Sequence, residues 1–395
     1  MKKFCFLALA LTITISLMTA PSLASNNLTA ASYQQQPPPL EPQEAADLYG
    51  KYYAEKDQAK KSDLAKEFLE KYPNVDPYWK KGPQAFIKNY ELKQVFDKCA
   101  KAEEVYFATG GQNAANLNNL LTTCDAYLAK SPTPDIRFSY QLARATGFGV
   151  LAGFYKDTNR SNEYAEKSLK LIEPTAPPAK EWTADAWAKF RTNALSQLVQ
   201  FQGLYKLRQA TPDNEAAIKL FTEAASVKEG PVAKDPNTYL LRAEATTAIY
   251  TKFKGEYDLL SDDKKVASEG KELLNKIYSV VEKIANDYAR VVAVTEGKAE
   301  YKTTYDDAKS QTVQWVNFLN KDYKPEDLYK LFKSDVGAPD AKIKSEDSVS
   351  SVPPSAPPVK GTKAAPVAGT APAGNGAKPS AKSAPKTKTP PKKRK

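Results

Sequence analysis

Proline most constrains what this chain can fold into, because it falls in tight groups set far apart. Pro73 with Pro77, Pro132 with Pro134, Pro174 with Pro177 and Pro178, and Pro231 with Pro236 stand at intervals of about 42 to 59 residues. Proline lacks an amide proton and its ring clashes with the preceding helical turn, so each group ends a helix that reaches it. Between the groups, apolar residues recur at three- and four-residue steps, and no run alternates as a half-buried strand would. Each interval holds two helical segments and a short polar turn, such as Thr109-Gly110-Gly111-Gln112 or Ala210-Thr211-Pro212-Asp213-Asn214. The pattern predicts an all-α protein, an α-solenoid of antiparallel helical hairpins in which each pair buries its stripe against the next. The clearest single helix is expected from about Asp262 to Val294. Ser261 is placed to cap it, and Asp262 and Asp263 favour its dipole. Val266, Leu273, Leu274, Ile277, Val281, Ile284, Tyr288 and Val292 form its buried stripe.

The two ends of the chain differ from this body. Lys2 and Lys3 precede an apolar run from Phe4 to Met18, and Ser22-Leu23-Ala24 places small residues before Ser25. Residues 1–24 therefore read as a secretory signal peptide, and the protein is expected to be periplasmic or secreted. An uncleaved anchor is the alternative, although the run is short of the roughly 20 apolar residues that span a bilayer. Cys5 stands at the wrong end of it for lipid attachment. Residues 25–43 read as a disordered Gln/Pro spacer, 44–336 as the helical body and 337–395 as a disordered Pro/Ala/Lys-rich tail, too poor in large apolar side chains to offset the entropy of folding. Of the chain's net +11, the last 48 residues carry +10 with no acid, and Lys2 and Lys3 carry +2. Residues 25–347 are left at −1, so a near-neutral body ends in a cationic tail.

The segment Asp213-Asn214-Glu215-Ala216-Ala217-Ile218-Lys219-Leu220-Phe221-Thr222-Glu223-Ala224-Ala225 resembles the second helix of a tetratricopeptide repeat. Ala217 is followed by Phe221 and Ala224 at the spacing of that helix, with Pro231 near the repeat end. Tyr164-Ala165-Glu166-Lys167-Ser168-Leu169-Lys170-Leu171 before Pro174 is similar, and Gly149 falls where the repeat's first helix has a small residue. The resemblance covers residues 44–260, and the units here exceed the repeat's usual length of about 34 residues. It implies a right-handed superhelix with a concave face for a protein or peptide partner.

The chain contains no histidine. That excludes Ser-His and Cys-His nucleophile pairs, histidine-bearing zinc sites and a histidine pH switch. Cys99 and Cys124 lie about twelve residues either side of the Gly111-Gln112 turn, on facing apolar stripes. In an oxidising compartment they are expected to form a disulfide, worth roughly 3 kcal/mol for a loop of this length; two buried free thiols are the alternative. Tyr78 and Trp79, between Pro77 and Pro83, are expected in a loop and are candidates for stacking on a ligand. The other aromatics of the first third read as core, and Trp182 and Trp187 as the seat of a helix start. Gly147-Phe148-Gly149-Val150-Leu151-Ala152 matches a dinucleotide fingerprint in letters only, since no strand precedes it; Gly149 and Gly153 read instead as places where two helices come close. Ser268-Glu269-Gly270-Lys271 is a chance S-x-x-K on a solvated helix face. Asn27 and Asn159 head glycosylation sequons. No cofactor or metal is implied.

In the tail, Lys386, Lys388, Lys392, Lys393, Arg394 and Lys395 are the candidate polyanion-binding residues. Pro390-Pro391-Lys392-Lys393-Arg394-Lys395 resembles a nuclear localisation signal, and the Ala-Lys-Pro-Ser repeats resemble linker-histone tails. A signal peptide argues instead for an anionic envelope polymer as partner. The expected function is a non-enzymatic scaffold that binds a protein or peptide partner and is tethered by its tail. The alternatives are a nucleic-acid-binding protein using the same tail, an envelope enzyme built on carboxylates, and a tail that only solubilises.

Overall fold

A computed structural model describes residues 38–178, 182–227 and 229–344. They form thirteen α-helices: α1 Gln43–Ala54, α2 Gln58–Lys71, α3 Pro77–Ala108, α4 Ala114–Lys130, α5 Ile136–Leu151, α6 Thr158–Ile172, α7 Ala184–Leu207, α8 Asn214–Ser226, α9 Pro236–Asp258, α10 Asp262–Val266, α11 Ser268–Thr295, α12 Lys302–Leu319 and α13 Pro325–Ser334. No strand occurs among the described residues. The chain divides into two compact units at Ile87–Lys88, within the span of α3. The signal-peptide assignment and the tail beyond Lys344 lie outside the described residues.

The proline groups separate the helical pairs as expected, and proline also starts helices. Pro77, Pro236 and Pro325 each occupy a first helical position, where the missing amide proton has no partner to lose. Most remaining helix starts are fixed by side-chain caps. Asp57, Asn113, Asp135, Asp157, Thr183 and Asp213 each accept from an amide in the first turn that follows, a contribution of about 1 kcal/mol apiece.

In the first unit, α1 and α2 close over Ala45, Leu48, Phe68 and Val75, with Tyr49, Tyr72 and Trp79 packed around them. In the second, one core runs from α3 to α7 through Leu120, Phe138, Leu142 and Trp187. Another joins α9, α11, α12 and α13 through Tyr250, Ile277, Ile284, Trp315 and Phe332. Successive helices from α4 to α9 pack on their neighbours, and α5 also touches α7. Ala217, Phe221 and Ala224 are fully buried on α8. The α5–α7 approach depends on Gly147, because a Cβ there would overlap the ring of Phe201.

Five expectations need correction. Pro83 lies inside α3 and does not bound a loop, because the helix already starts at Pro77. The long helix is broken at Ala267, whose extended backbone separates α10 from α11. Gly270 takes the Lys265 carbonyl where a side chain would otherwise stand, and Val266 leaves the stripe to become 71% exposed. Gly153 does not serve close packing: it has open space and a φ of 81°, and it turns the chain out of α5. The spacer ends before residue 43, since Leu40 packs in the first core and Pro38 accepts a hydrogen bond. The tail begins later than 337, since Ala338 and Ile343 are buried against α11 and its neighbours.

Candidate peptide-binding face

The last correction places a row of polar side chains on α11 against a stretch of extended backbone. Glu282, Asn286 and Arg290 stand four residues apart on α11, in one row along about 12 Å of helix axis. Val336–Lys344, here termed the strap, runs along this row without forming helix or strand. Arg290 donates from Nε to the Val336 carbonyl at 3.1 Å and from Nη2 to the Ala338 carbonyl at 2.7 Å. Asn286 holds Ala341 from both sides, donating from Nδ2 to its carbonyl at 3.1 Å and accepting its amide at 2.9 Å. Glu282 Oε1 accepts the amides of Ile343 at 2.9 Å and Lys344 at 2.8 Å. Asn320, at the end of α12, donates to the Ile343 carbonyl at 3.2 Å. The order of these contacts makes the strap antiparallel to α11.

Side-chain contacts with the strap are fewer. Asp340 pairs with Arg290 at 2.7 Å. Ile343 is fully buried, and Ala338 nearly so. The Lys344 ammonium lies 4.5 Å from the ring centre of Tyr278 and 3.3 Å from Asn275 Oδ1.

The row is supported from behind. Arg242 on α9 donates to both carboxylate oxygens of Asp287 on α11, and Arg290 reaches the same carboxylate at 3.4 Å. Burial pushes the Asp287 carboxyl up, while the two guanidiniums pull it back. Burial lowers Arg242, yet the facing carboxylate leaves it raised. With a bidentate partner in place the pair is ionised. The Arg290 guanidinium also lies 4.1 Å from the Phe332 ring centre. Arg290 is therefore positioned by Asp287 and Phe332 as well as by the strap.

The residues nominated from sequence sit elsewhere. Cys99 on α3 and Cys124 on α4 form a disulfide, with S–S 2.01 Å and Cα–Cα 4.5 Å, and both are fully buried. Tyr106 stands one hairpin step away, its hydroxyl 2.8 Å from the Gly111 carbonyl and 3.2 Å from that of Ala145. Tyr78 and Trp79 lie in the first turn of α3 and not in a loop. Trp79 donates from Nε1 to Pro38 at 2.9 Å and stacks edge-on with Tyr49 at 5.1 Å, so its ring fastens the incoming chain. Tyr78 remains 51% exposed. Trp187 is buried at the start of α7, 5.4 Å from Trp182. The six tail cations lie outside the described residues. An open groove between α3 and α4 is lined by Asp97, Lys98, Lys101, Asn119 and Thr123.

Sequence reading missed the strap because Gly337-Ala338-Pro339-Asp340-Ala341 has no apolar period. The available signal was Val336 and Ile343, branched aliphatics in an otherwise small-residue stretch. Among the described residues, no cluster of His, Cys, Asp and Glu could hold a metal ion, and no helix is long and apolar enough to cross a membrane. Comparison with known proteins found no matching family model, no similar curated protein and no similar solved structure.

Proposed function

We propose that the protein is an exported, non-enzymatic helical-repeat scaffold that holds an extended segment of a protein partner, while its cationic tail tethers it to anionic envelope polymers. One observation carries the reading of the body. The row Glu282, Asn286 and Arg290 binds the backbone of an extended chain by both its amides and its carbonyls. Grips of this kind hold a peptide by its main chain and leave pockets to choose side chains. Ten cations without an acid in the last 48 residues support the tether. Such binding is electrostatic and falls steeply with salt.

Pull-down from the native envelope, with full-length protein and with a chain ending before Ser348, tests both parts. The full chain should retain a protein partner and bind envelope fractions in a salt-sensitive way. The shortened chain should keep the partner and lose the salt-sensitive retention. Equal retention by both chains rejects the tether, and failure of either to capture a protein rejects the scaffold. Nucleic acid is the second reading, favoured by the same charge asymmetry. Phosphate contacts alone would give it affinity without sequence selection, and the native location of the protein separates the two.

A further inference from the structure

The strap is bound in the way a separate peptide would be bound. It has no secondary structure of its own, and two hydrogen bonds to Asp335, from the Ala338 amide to its carbonyl and from the Gly337 amide to its carboxylate, tie it to the end of α13. Its contacts go mainly from α11 and α12 side chains to strap backbone. It has two well-buried side chains, Ala338 and Ile343. Val336 and Ala341 pack partly against the same core, and a segment held chiefly by hydrogen bonds to its backbone opens at a free energy below that of the whole fold.

The receiving side is built largely without it. Arg290 is fixed by Asp287 and Phe332, Asp287 by Arg242, and Asn286 Nδ2 also reaches the Glu282 carbonyl at 2.8 Å within α11. When the strap leaves, Asn286 keeps its bond to the Glu282 carbonyl and Arg290 keeps Asp287 and Phe332, and the outward hydrogen-bonding groups of both open. A pre-organised row of this kind binds the next extended chain without ordering itself.

We propose that the α11 row is a peptide-binding site that the strap keeps closed in the free protein, and that a partner opens it by supplying an extended segment of the same pattern. This rests on the scaffold reading and adds its regulation and the chemistry of its partner. The pattern is a small residue where Ala338 lies, an acid two positions later for Arg290, and a branched aliphatic three positions after that for the Ile343 site. The strap has the advantage of attachment, since a short tether gives it a high effective concentration. A partner must therefore exceed the strap's own contacts or extend beyond them. The site lies beyond residues 44–260, where the sequence resembles a known repeat.

The test uses a fluorescent peptide with the sequence Val336–Lys344 and measures anisotropy on three proteins: the full chain, a chain ending at Ser334, and a full chain carrying Asp340→Lys with Ile343→Asp. Thermal melting by circular dichroism accompanies each. The two released proteins should stay helical and bind the peptide at least about ten times more tightly than the full chain, and Asn286→Ala in either should abolish the gain. A peptide carrying the Ile343→Asp change should bind none of them. If folded released proteins and the full chain bind the peptide equally, the row is a peptide site but the strap does not gate it, and the proposal fails alone. If folded released proteins do not bind, the row is not a peptide site and the scaffold reading loses its carrying observation as well. If neither released protein melts cooperatively, the strap is part of the fold and not an occupant, which also overturns the proposal.

Discussion

The α3–α4 hairpin and the α11–strap pair both hold together stretches of chain that local structure does not join, and they do so by opposite means. In the hairpin, Cys99 and Cys124 make one covalent bond inside a fully buried stripe, surrounded by Tyr106, Leu117 and Leu120. On α11 the fastening is a row of hydrogen bonds from Glu282, Asn286 and Arg290 to bare backbone. The disulfide acts largely on the unfolded chain, and nothing in the folded protein exchanges with it. A backbone hydrogen bond contributes only about 1 kcal/mol net, because water or another chain can replace the partner. The hairpin is thus a lock and the strap a latch.

The largest expected effect that separates the two regions is alkaline. Burial holds the hydroxyls of Tyr239, Tyr250, Tyr288 and Tyr329, around the α11 core, at about 12; in the hairpin it does the same for Tyr106 and also raises Tyr127. An unfolded tyrosine releases its proton near 10. Above that pH the unfolded chain binds fewer protons, so this stability is intact below about pH 10 and is lost as pH rises toward 12. Each group changes it by up to about 1.4 kcal/mol per pH unit, so replacing Tyr239, Tyr250 and Tyr288 with Phe should relieve alkaline loss more than replacing Tyr106 and Tyr127 with Phe. Urea midpoints between about pH 9 and pH 11.5 measure it, and equal relief would erase the distinction.

Next in size is the support behind the latch. Asp287→Ala strands two buried guanidiniums, and breaking such a pair costs about 3–5 kcal/mol. Glu103→Ala beside the hairpin removes a buried acid too, but its partner Arg137 is half exposed and returns to water. That variant should lose far less in a urea melt. Replacing Cys99 and Cys124 together by Ala should cost about 3 kcal/mol, seen as a lower midpoint for the whole second unit, with no change in peptide binding on α11. The smallest effect is the most local. Asn286→Ala should weaken the strap by about 1–2 kcal/mol, with faster amide exchange at Ala341 and Ile343 and little change in the global midpoint.

What the sequence could show follows from which forces leave a pattern. Helix boundaries were legible because Pro132, Pro134, Pro174, Pro231 and Pro236 stand between helices or at the first position of one, where local proline chemistry alone sets the boundary. The disulfide was legible because helical period and distance from a turn place Cys99 and Cys124 at one height. The break at Ala267 was not, because Asp262–Val266 carries ordinary helix formers, and the chain leaves the helix for the close approach of Lys265 to Gly270. Pro83 misled for the reverse reason: a local rule against helix was overridden in a helix already started at Pro77. The candidate site was invisible in part because Glu282, Asn286 and Arg290 read as ordinary polar positions of α11. Their role appears only when Ala341 and Ile343 lie beside them.

The difference between lock and latch is measured most directly by native-state hydrogen exchange, residue by residue, under low denaturant. Amides of Ala341, Ile343 and Lys344 should exchange through a local opening that is insensitive to denaturant and far below the free energy of global unfolding. Amides of α4 around Leu120 and Cys124 should exchange only with the whole unit. Strap amides that exchange at the same free energy and with the same denaturant dependence as α4 would show that the strap is core, and the latch would not exist.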